Sequence, residues 1–184
     1  MQQEVIIAGF GGQGVLFAGL LLAYAAMDEG KDVTWIPSYG PEMRGGTANC
    51  TVVVSDEEIG SPFVKNPSAV LAMNLPSLDK YEKLVKPGGV LVVNASMVNR
   101  EVERKDINVV SLPANEIADE AGSKRAVNMV MLGALLGNLD ILPLEAIETA
   151  LAEQLPARYQ KLLQANKDAL QMGAKYQAVK VSGE

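Results

Sequence analysis

The 184-residue sequence has no histidine, one cysteine and one tryptophan. The absence of histidine excludes imidazole-based zinc sites, Ser-His-Asp triads and imidazole acid–base catalysis. A single thiol, Cys50, cannot hold an iron–sulfur cluster, which takes about four thiolates or a Cys/His mixture. We therefore expect no catalytic residue and no metal site in this chain, and we expect any electron carriers to belong to other proteins.

Positive charge is also scarce, because 16 Lys and Arg stand against 22 Asp and Glu, and no basic cluster reaches five residues. Nucleic acid is therefore not an expected partner. The longest apolar run, residues 15–27, falls short of the roughly 18 residues that a membrane span needs, and no basic residue precedes it. One cysteine gives no disulfide framework, so we expect a cytoplasmic protein that does not bind membranes.

Apolar segments alternate between strand and helix patterns along the chain. Strands are predicted at residues 4–8, 32–37, 49–55, 69–73, 90–94 and 108–112. Helices are predicted at residues 13–29, 75–86, 114–121, 123–138, 143–155 and 158–178, the last one free to project or fray. This order predicts an α/β, Rossmann-like fold: a mostly parallel sheet with helices on both faces and a helical C-terminal segment. We expect a single domain over residues 1–184, with its core at about 4–155 and the C-terminal helix at about 158–178.

The glycine-rich segment Gly9-Phe10-Gly11-Gly12-Gln13-Gly14 follows the first strand and opens the first helix, which is the context of G-x-G-x-x-G. Residues 4–37 accordingly read as a βαβ unit with a right-handed crossover. Its glycines suit a tight turn and a close backbone approach to a ligand, and the helix N-terminus beyond them attracts phosphate.

A dinucleotide site also needs an acidic residue where the second strand ends. That strand ends at residues 35–38, Trp-Ile-Pro-Ser, which include no carboxylate. Three interpretations therefore remain open for the glycine segment: NAD or FAD binding, a purely structural turn, or contact with another phosphate group or another chain.

A second glycine-rich segment, residues 39–46, should leave the same edge of the sheet, so that the two segments form a crevice. Arg44 could bind a carboxylate or a phosphate in a bidentate manner, and Glu42 could orient it or bind a partner's cation; a solvated pair is the alternative. Asn128 lies among apolar neighbours and is predicted to bond loop backbone. Gly133 and Gly137 are predicted to allow close helix packing.

Three segments together resemble the gamma subunit of 2-oxoacid:ferredoxin oxidoreductases. They are GFGGQGV at 9–15, SYGPEMRGGTANCTVVVS at 38–55 and AVNMVMLGALLG at 126–137. The resemblance runs from Glu4 to about Gln177. The segment MNLPSLDKYEKLV, 73–85, is most similar to the 2-oxoglutarate-specific members, and the pyruvate and 2-oxoisovalerate enzymes are close relatives.

That resemblance implies an enzyme complex that decarboxylates a 2-oxoacid with thiamine diphosphate, passes the acyl group to coenzyme A and reduces ferredoxin through iron–sulfur clusters. It places the thiamine diphosphate and the clusters on alpha, beta and ferredoxin-like delta partners, and it implies that the isolated gamma chain is inactive. It also implies a crevice that holds coenzyme A phosphates or contacts partner subunits. The residues of this crevice are Gly9, Gly11, Gly12, Gln13, Gly14, Tyr39, Glu42 and Arg44.

Two other interpretations stay open beside this one. The chain could be a stand-alone Rossmann protein that binds NAD, FAD or S-adenosylmethionine. The isolated chain could also form a homodimer through an apolar surface that its partners normally cover.

Overall fold

The computed structural model describes residues 1–39 and 47–179, and these form one mixed sheet with helices on both faces. The strands are β1 (Gln2–Phe10), β2 (Asp32–Tyr39), β3 (Thr47–Ser55), β4 (Ala69–Ala72), β5 (Val90–Asn94) and β6 (Asn108–Leu112). The helices are α1 (Val15–Asp28), α2 (Leu75–Tyr81), α3 (Ala114–Glu120), α4 (Val127–Leu136), α5 (Leu144–Gln154) and α6 (Leu163–Ala174). Short 3-10 segments follow α2 at Glu82–Leu84 and α5 at Ala157–Leu162.

The strand order is β2-β3-β1-β4-β5-β6. β4, β5 and β6 continue the sheet in parallel with β1, whereas β3 pairs antiparallel with both β1 and β2. Five of the strands therefore share one direction, and the predicted α/β class with a mostly parallel sheet is confirmed.

The predicted βαβ unit of residues 4–37 is wrong in one respect. β1 and β2 do run in the same direction, but β3 lies between them, which separates them by about 10 Å, twice the spacing of neighbouring strands. The apolar run of β3 predicts burial on both faces, and the inner positions Cys50, Val52 and Val53 are indeed fully buried. Such a run carries no information about strand direction, because both kinds of pairing bury an inner strand.

Two cores cover the two faces of the sheet, and β1 contributes to both through the alternation of its side chains. Val5 and Ile7 face the larger core, which contains most of the buried residues of α1, α4 and α5. Ile6 and Ala8 face the smaller core, where Leu78 of α2 is buried. Among the helices of residues 1–39 and 47–179, none combines the length and the hydropathy that a membrane span requires.

The C-terminal helix differs from its prediction. Residues 158–178 do not form one helix: the 3-10 segment Ala157–Leu162 precedes α6, and residues 176–178 have no regular secondary structure. The helix does not project, because Ala169, Leu170 and Gly173 are buried in its packing against α4. Past the helix, Val179 pairs with Val109 on the free edge of β6.

Glycines set the close approach of α4 and α6, as predicted for Gly133 and Gly137. A Cβ atom on Gly133 would lie 2.8 Å from the carbonyl carbon of Leu170, and one on Gly173 would lie 2.8 Å from that of Val130. A Cβ on Gly137 would meet the backbone of Ala174 in the same way. The two helix backbones are therefore in direct contact, at a distance that no side chain can enter.

We predict that Gly133→Ala lowers the free energy of unfolding by about 1–3 kcal/mol, since the methyl group forces α4 and α6 apart. Urea denaturation followed by circular dichroism measures the change. Gly60→Ala is the matched control, because a Cβ there meets nothing within 4 Å, and it should change the unfolding free energy by less than about 0.5 kcal/mol. Equal midpoints for the two variants would contradict the tight helix contact.

Candidate functional site

The carboxyl ends of the parallel strands meet at one edge of the sheet, where ligands bind in open α/β folds. β1 is followed there by the glycine turn, β4 by Met73 and Asn74, β5 by residues 95–97, and β6 by Pro113. The end of β2 lies at this edge too, since Phe10 pairs with Thr47 and Tyr39 pairs with Ala48. The prediction that both glycine-rich segments leave the same edge is therefore confirmed for their first residues.

The glycine turn closes through a hydrogen bond from Gln13 N to Phe10 O, 3.2 Å long. Gly12 has φ +97°, the positive value that a type II turn requires at its third position. Gly14 has φ +75° and is the N-cap of α1. Both positions lie in the region that disfavours L side chains, so two of the glycines are required by the backbone.

The Gln13 side chain folds back under the turn. Its Oε1 accepts hydrogen bonds from Phe10 N at 2.6 Å and from Asn74 Nδ2 at 3.2 Å. A Cβ on Gly9 would lie 2.6 Å from the same oxygen, so glycine at that position leaves room for the amide. Gln13 therefore braces the turn, and Gly9 permits the brace.

Asn128 makes the backbone contact that was predicted for it. The residue is 6% exposed, and its Nδ2 donates to Gly14 O at 3.2 Å while its Oδ1 accepts from Met129 N at 3.0 Å. The amide ties the start of α4 to the start of α1. A Cβ on Gly14 would lie 2.8 Å from Asn128 Cγ, so these two residues fit together closely.

A cavity of about 800 Å³ opens beside this turn. Its walls come from the glycine turn and the first turn of α1, from the loop after β5 and the start of α3, and from the turn between α3 and α4. The start of α4, the segment from Leu155 through the 3-10 turn to Leu162, and α6 complete them. Apolar and aromatic side chains make up much of the lining, among them Phe17, Met97, Val127, Leu155, Tyr159 and Leu162. The polar contributors include Asn115, Asn128 and Asn166.

The cavity is suited to an anion, although the chain carries a net charge of −6. Lys124 and Arg125 line it, and the described residues of its wall include no Asp or Glu; Asp119, outside the wall, lies 3.8 Å from Lys124 Nζ and offsets part of its charge. The N-terminus of α1 adds to this field, because it has no side-chain cap and no acidic residue in its first turn. The first helical hydrogen bond of α1 runs from Ala18 N to Gly14 O. The N–H groups of residues 15–17 therefore have no partner within the helix.

The predicted site residues divide into three groups. Gly12, Gln13 and Gly14 line the cavity, whereas Gly9 lies behind it at the end of β1. Gly11 belongs to the turn without being part of the cavity wall. Tyr39 ends β2, and Glu42 and Arg44 lie outside the described residues, so that half of the predicted crevice stays a prediction.

Sequence reasoning missed Lys124 and Arg125. They occupy the turn between α3 and α4, where Gly122 has φ +92° and Ala126 N donates to Ser123 O at 2.9 Å. The sequence does contain one signal that could have indicated them: two adjacent cationic residues directly before an apolar helix. Its location beside the glycine turn, more than 100 positions away in the sequence, depends on the tertiary packing of α4 against α1.

Cys50 offers no thiol chemistry to this site. It lies in β3, fully buried beneath α1, and burial raises the pKa of its thiol to about 12. The thiolate, which is the form that binds metals and attacks electrophiles, is therefore strongly disfavoured at neutral pH. Among the residues that the structure describes, no group of three or more potential metal ligands comes together.

Fold and cavity together define an α/β domain with a pocket, lined in part by Lys124 and Arg125, at the carboxyl edge of its sheet. The model of the pyruvate ferredoxin/flavodoxin oxidoreductase family matches residues 4–176, and the chain belongs to this family. The resemblance to gamma subunits is confirmed by the solved structure of such a subunit, to which the chain is 30% identical.

Named relatives agree with this assignment. The chain is 40% identical over 163 residues to 2-oxoglutarate synthase subunit KorC of Methanothermobacter marburgensis, covering 85% of this chain and 88% of that protein. It is 39% identical over 182 residues to ketoisovalerate oxidoreductase subunit VorA of the same organism, covering 98% of this chain but only 38% of the relative's length. The crystal structure of a keto/oxoacid ferredoxin oxidoreductase gamma subunit from Geobacter sulfurreducens superimposes with a TM-score of 0.82 at 30% identity, over 95% of both chains.

We predict that Gly14→Ala is more damaging than Gly12→Ala. Both put a side chain at positive φ, which costs about 1–2 kcal/mol, but only the first also drives a methyl group into Asn128, for about 1–3 kcal/mol more. Urea denaturation of the two variants measures the difference. The excess should shrink when Asn128 is also changed to Ala, and an unchanged excess would show that the Asn128 contact is not its cause.

Proposed function

We propose that this chain is the gamma subunit of a heteromeric 2-oxoacid:ferredoxin oxidoreductase, with 2-oxoglutarate as its substrate. In that reaction the carboxylate of the 2-oxoacid leaves as carbon dioxide, the acyl group forms a thioester with coenzyme A, and the released electrons reduce ferredoxin. Membership of the family supports the reaction class, and the KorC relative, matched over most of its length, supports the gamma role.

Within this complex we assign the cavity to the phosphate-bearing part of coenzyme A. The observation that carries this assignment is a wall with Lys124, Arg125 and the uncapped N-terminus of α1, without a carboxylate among its described residues. Phosphates are recognised by such helix ends and by Arg and Lys side chains. The apolar walls, with Phe17 and Tyr159, suit the remainder of a long ligand that has both apolar and anionic parts.

Thiamine diphosphate and the iron–sulfur clusters belong to partner subunits in this proposal. The only thiol of the chain is Cys50, which is buried, and imidazole is absent, so the donor set does not fit a cluster. The partners are alpha and beta subunits and a ferredoxin-like delta subunit. This chain would then supply a wall of the coenzyme A site and would be inactive alone.

The KorC match covers most of that relative's length, and this supports the choice of 2-oxoglutarate. The VorA relative has a similar identity and is named for ketoisovalerate, but the chain covers only 38% of its length. We propose the cytoplasm as the compartment, supported by the single cysteine, which gives the chain no internal disulfide framework. A homodimer of the isolated chain would form on surfaces that the partners otherwise cover.

We predict that the alpha and beta subunits produced without this chain lose coenzyme A-dependent reduction of ferredoxin, and that adding the chain restores it. The complete complex should show its highest kcat/KM with 2-oxoglutarate when this substrate is compared with pyruvate and 2-oxoisovalerate. The chain alone should show no turnover. Equal activity with and without the chain would refute the proposal, as would tight binding of NAD or FAD by the isolated chain.

We further predict that Lys124→Gln/Arg125→Gln in the complete complex raises the KM for coenzyme A about tenfold, which corresponds to about 1.4 kcal/mol of lost charge interaction. The KM for the 2-oxoacid should not change, because that substrate binds elsewhere. Steady-state kinetics with each substrate varied in turn measures both values. The effect should weaken as the salt concentration rises.

Lys65→Gln/Lys105→Gln is the matched control, since it removes the same charge from two exposed lysines outside the cavity. It should leave the KM for coenzyme A unchanged. Similar increases in both double variants would mean that the net charge of the chain matters and that the cavity does not.

A further inference from the structure

Asn74 lies directly behind the glycine turn and uses both ends of its amide. It is 1% exposed and follows β4. Its Oδ1 accepts a hydrogen bond from Ser77 N at 3.0 Å and so caps α2, while its Nδ2 donates to Gln13 Oε1 at 3.2 Å. One buried side chain thus connects the start of a helix on one face of the sheet to the turn at its edge.

The oxygen that Asn74 contacts is the one that holds the turn closed. Gln13 Oε1 also accepts from Phe10 N at 2.6 Å, and Phe10 O accepts from Gln13 N at 3.2 Å. The amide of Gln13 is therefore fixed from the side of β1 and from the side of β4. Without the bond from Asn74, only the turn itself would orient this amide.

Asn74 does not belong to the described wall of the cavity, whereas Gly12, Gln13 and Gly14 do. Any influence of Asn74 on a ligand must therefore pass through the turn. The turn sets the direction of the N–H groups at the start of α1, which carry the partial positive charge of that helix end.

We propose that Asn74 is a positioning residue for the anion site: through Gln13 it fixes the glycine turn, and thereby the donors at the start of α1, in the orientation that binds phosphate. This inference rests on the proposed function. The ordinary alternative is that Asn74 serves only as the N-cap of α2. The two roles separate because they use different atoms of the same amide.

Asn74→Ser separates them experimentally. Serine caps a helix about as well as asparagine, but its hydroxyl is too short to reach Gln13, and it introduces no charge that would disturb an anion. In the complete complex we expect the KM for coenzyme A to rise about fivefold with kcat unchanged, the effect of one lost hydrogen bond. In the isolated full chain, hydrogen exchange of the amides of residues 11–17 should accelerate, and the exchange of α2 should stay at the wild-type rate.

A double-mutant cycle with Gln13→Met tests the route through Gln13. If Asn74 acts through that side chain, Asn74→Ser should add nothing to the KM increase already caused by Gln13→Met. Asn138→Ser is the structural control, because Asn138 likewise ties a helix to a neighbouring segment through Tyr176 O and Ala178 N, away from the cavity. It should leave the KM for coenzyme A unchanged.

Wild-type exchange at residues 11–17 in Asn74→Ser overturns the proposal, whatever the ligand is. Faster exchange with a wild-type KM for coenzyme A also overturns it, since the orientation of the turn would then not matter for binding. Fully additive effects with Gln13→Met would overturn the route through Gln13. An unchanged KM for coenzyme A in Lys124→Gln/Arg125→Gln would instead refute the proposed role of the cavity. The inference about Asn74 would then fail as well, even if the exchange of residues 11–17 is faster in Asn74→Ser.

Discussion

The hydrogen bond from Phe10 N to Gln13 Oε1 is the contact on which the arrangement of this edge of the sheet depends. It closes the glycine turn at the end of β1, and the turn in turn fixes where α1 begins. Asn74 and Asn128 hold the same segment from opposite sides, one through Gln13 and the other through Gly14 O. Three amide side chains therefore order the backbone of the glycine turn before any ligand binds. In many glycine-rich turns the bound ligand itself provides this order. A site prepared in this way loses less conformational entropy when a ligand binds.

A second constraint comes from the antiparallel strand β3. By separating β1 from β2, it moves the end of β2 about 10 Å from the glycine turn. In a dinucleotide-binding fold these two strands are neighbours, and the acidic residue at the end of the second strand reaches the ribose of the ligand. Here that strand is displaced and carries no such residue in positions 35–38. The glycine motif thus keeps the turn and the helix start of a dinucleotide-binding fold, without the neighbouring strand that would make the site specific for NAD or FAD.

Much of the fold was predictable because burial and helical periodicity are local properties of the sequence. β5 and β6 have their predicted bounds, and α1 begins within two residues of its prediction. The direction of β3 was not predictable, since its apolar residues record only that both faces are covered. The glycine turn was recognisable from its motif, whereas the contribution of Lys124 and Arg125 was not, because it arises from the packing of α4 against α1. Gln13 was expected in the site, but nothing local showed that its amide would turn back toward Phe10.

The glycine contacts between α4 and α6 have a consequence for the cavity as well as for stability. Both helices begin at its wall, with Asn128 on α4 and Asn166 on α6, and their backbones touch one to two turns farther along at Gly133 and Gly173. Because only the glycine hydrogens lie between the two backbones there, a larger side chain at either position would push the helices apart. The spacing of these two cavity walls therefore depends on a helix contact that lies outside the cavity.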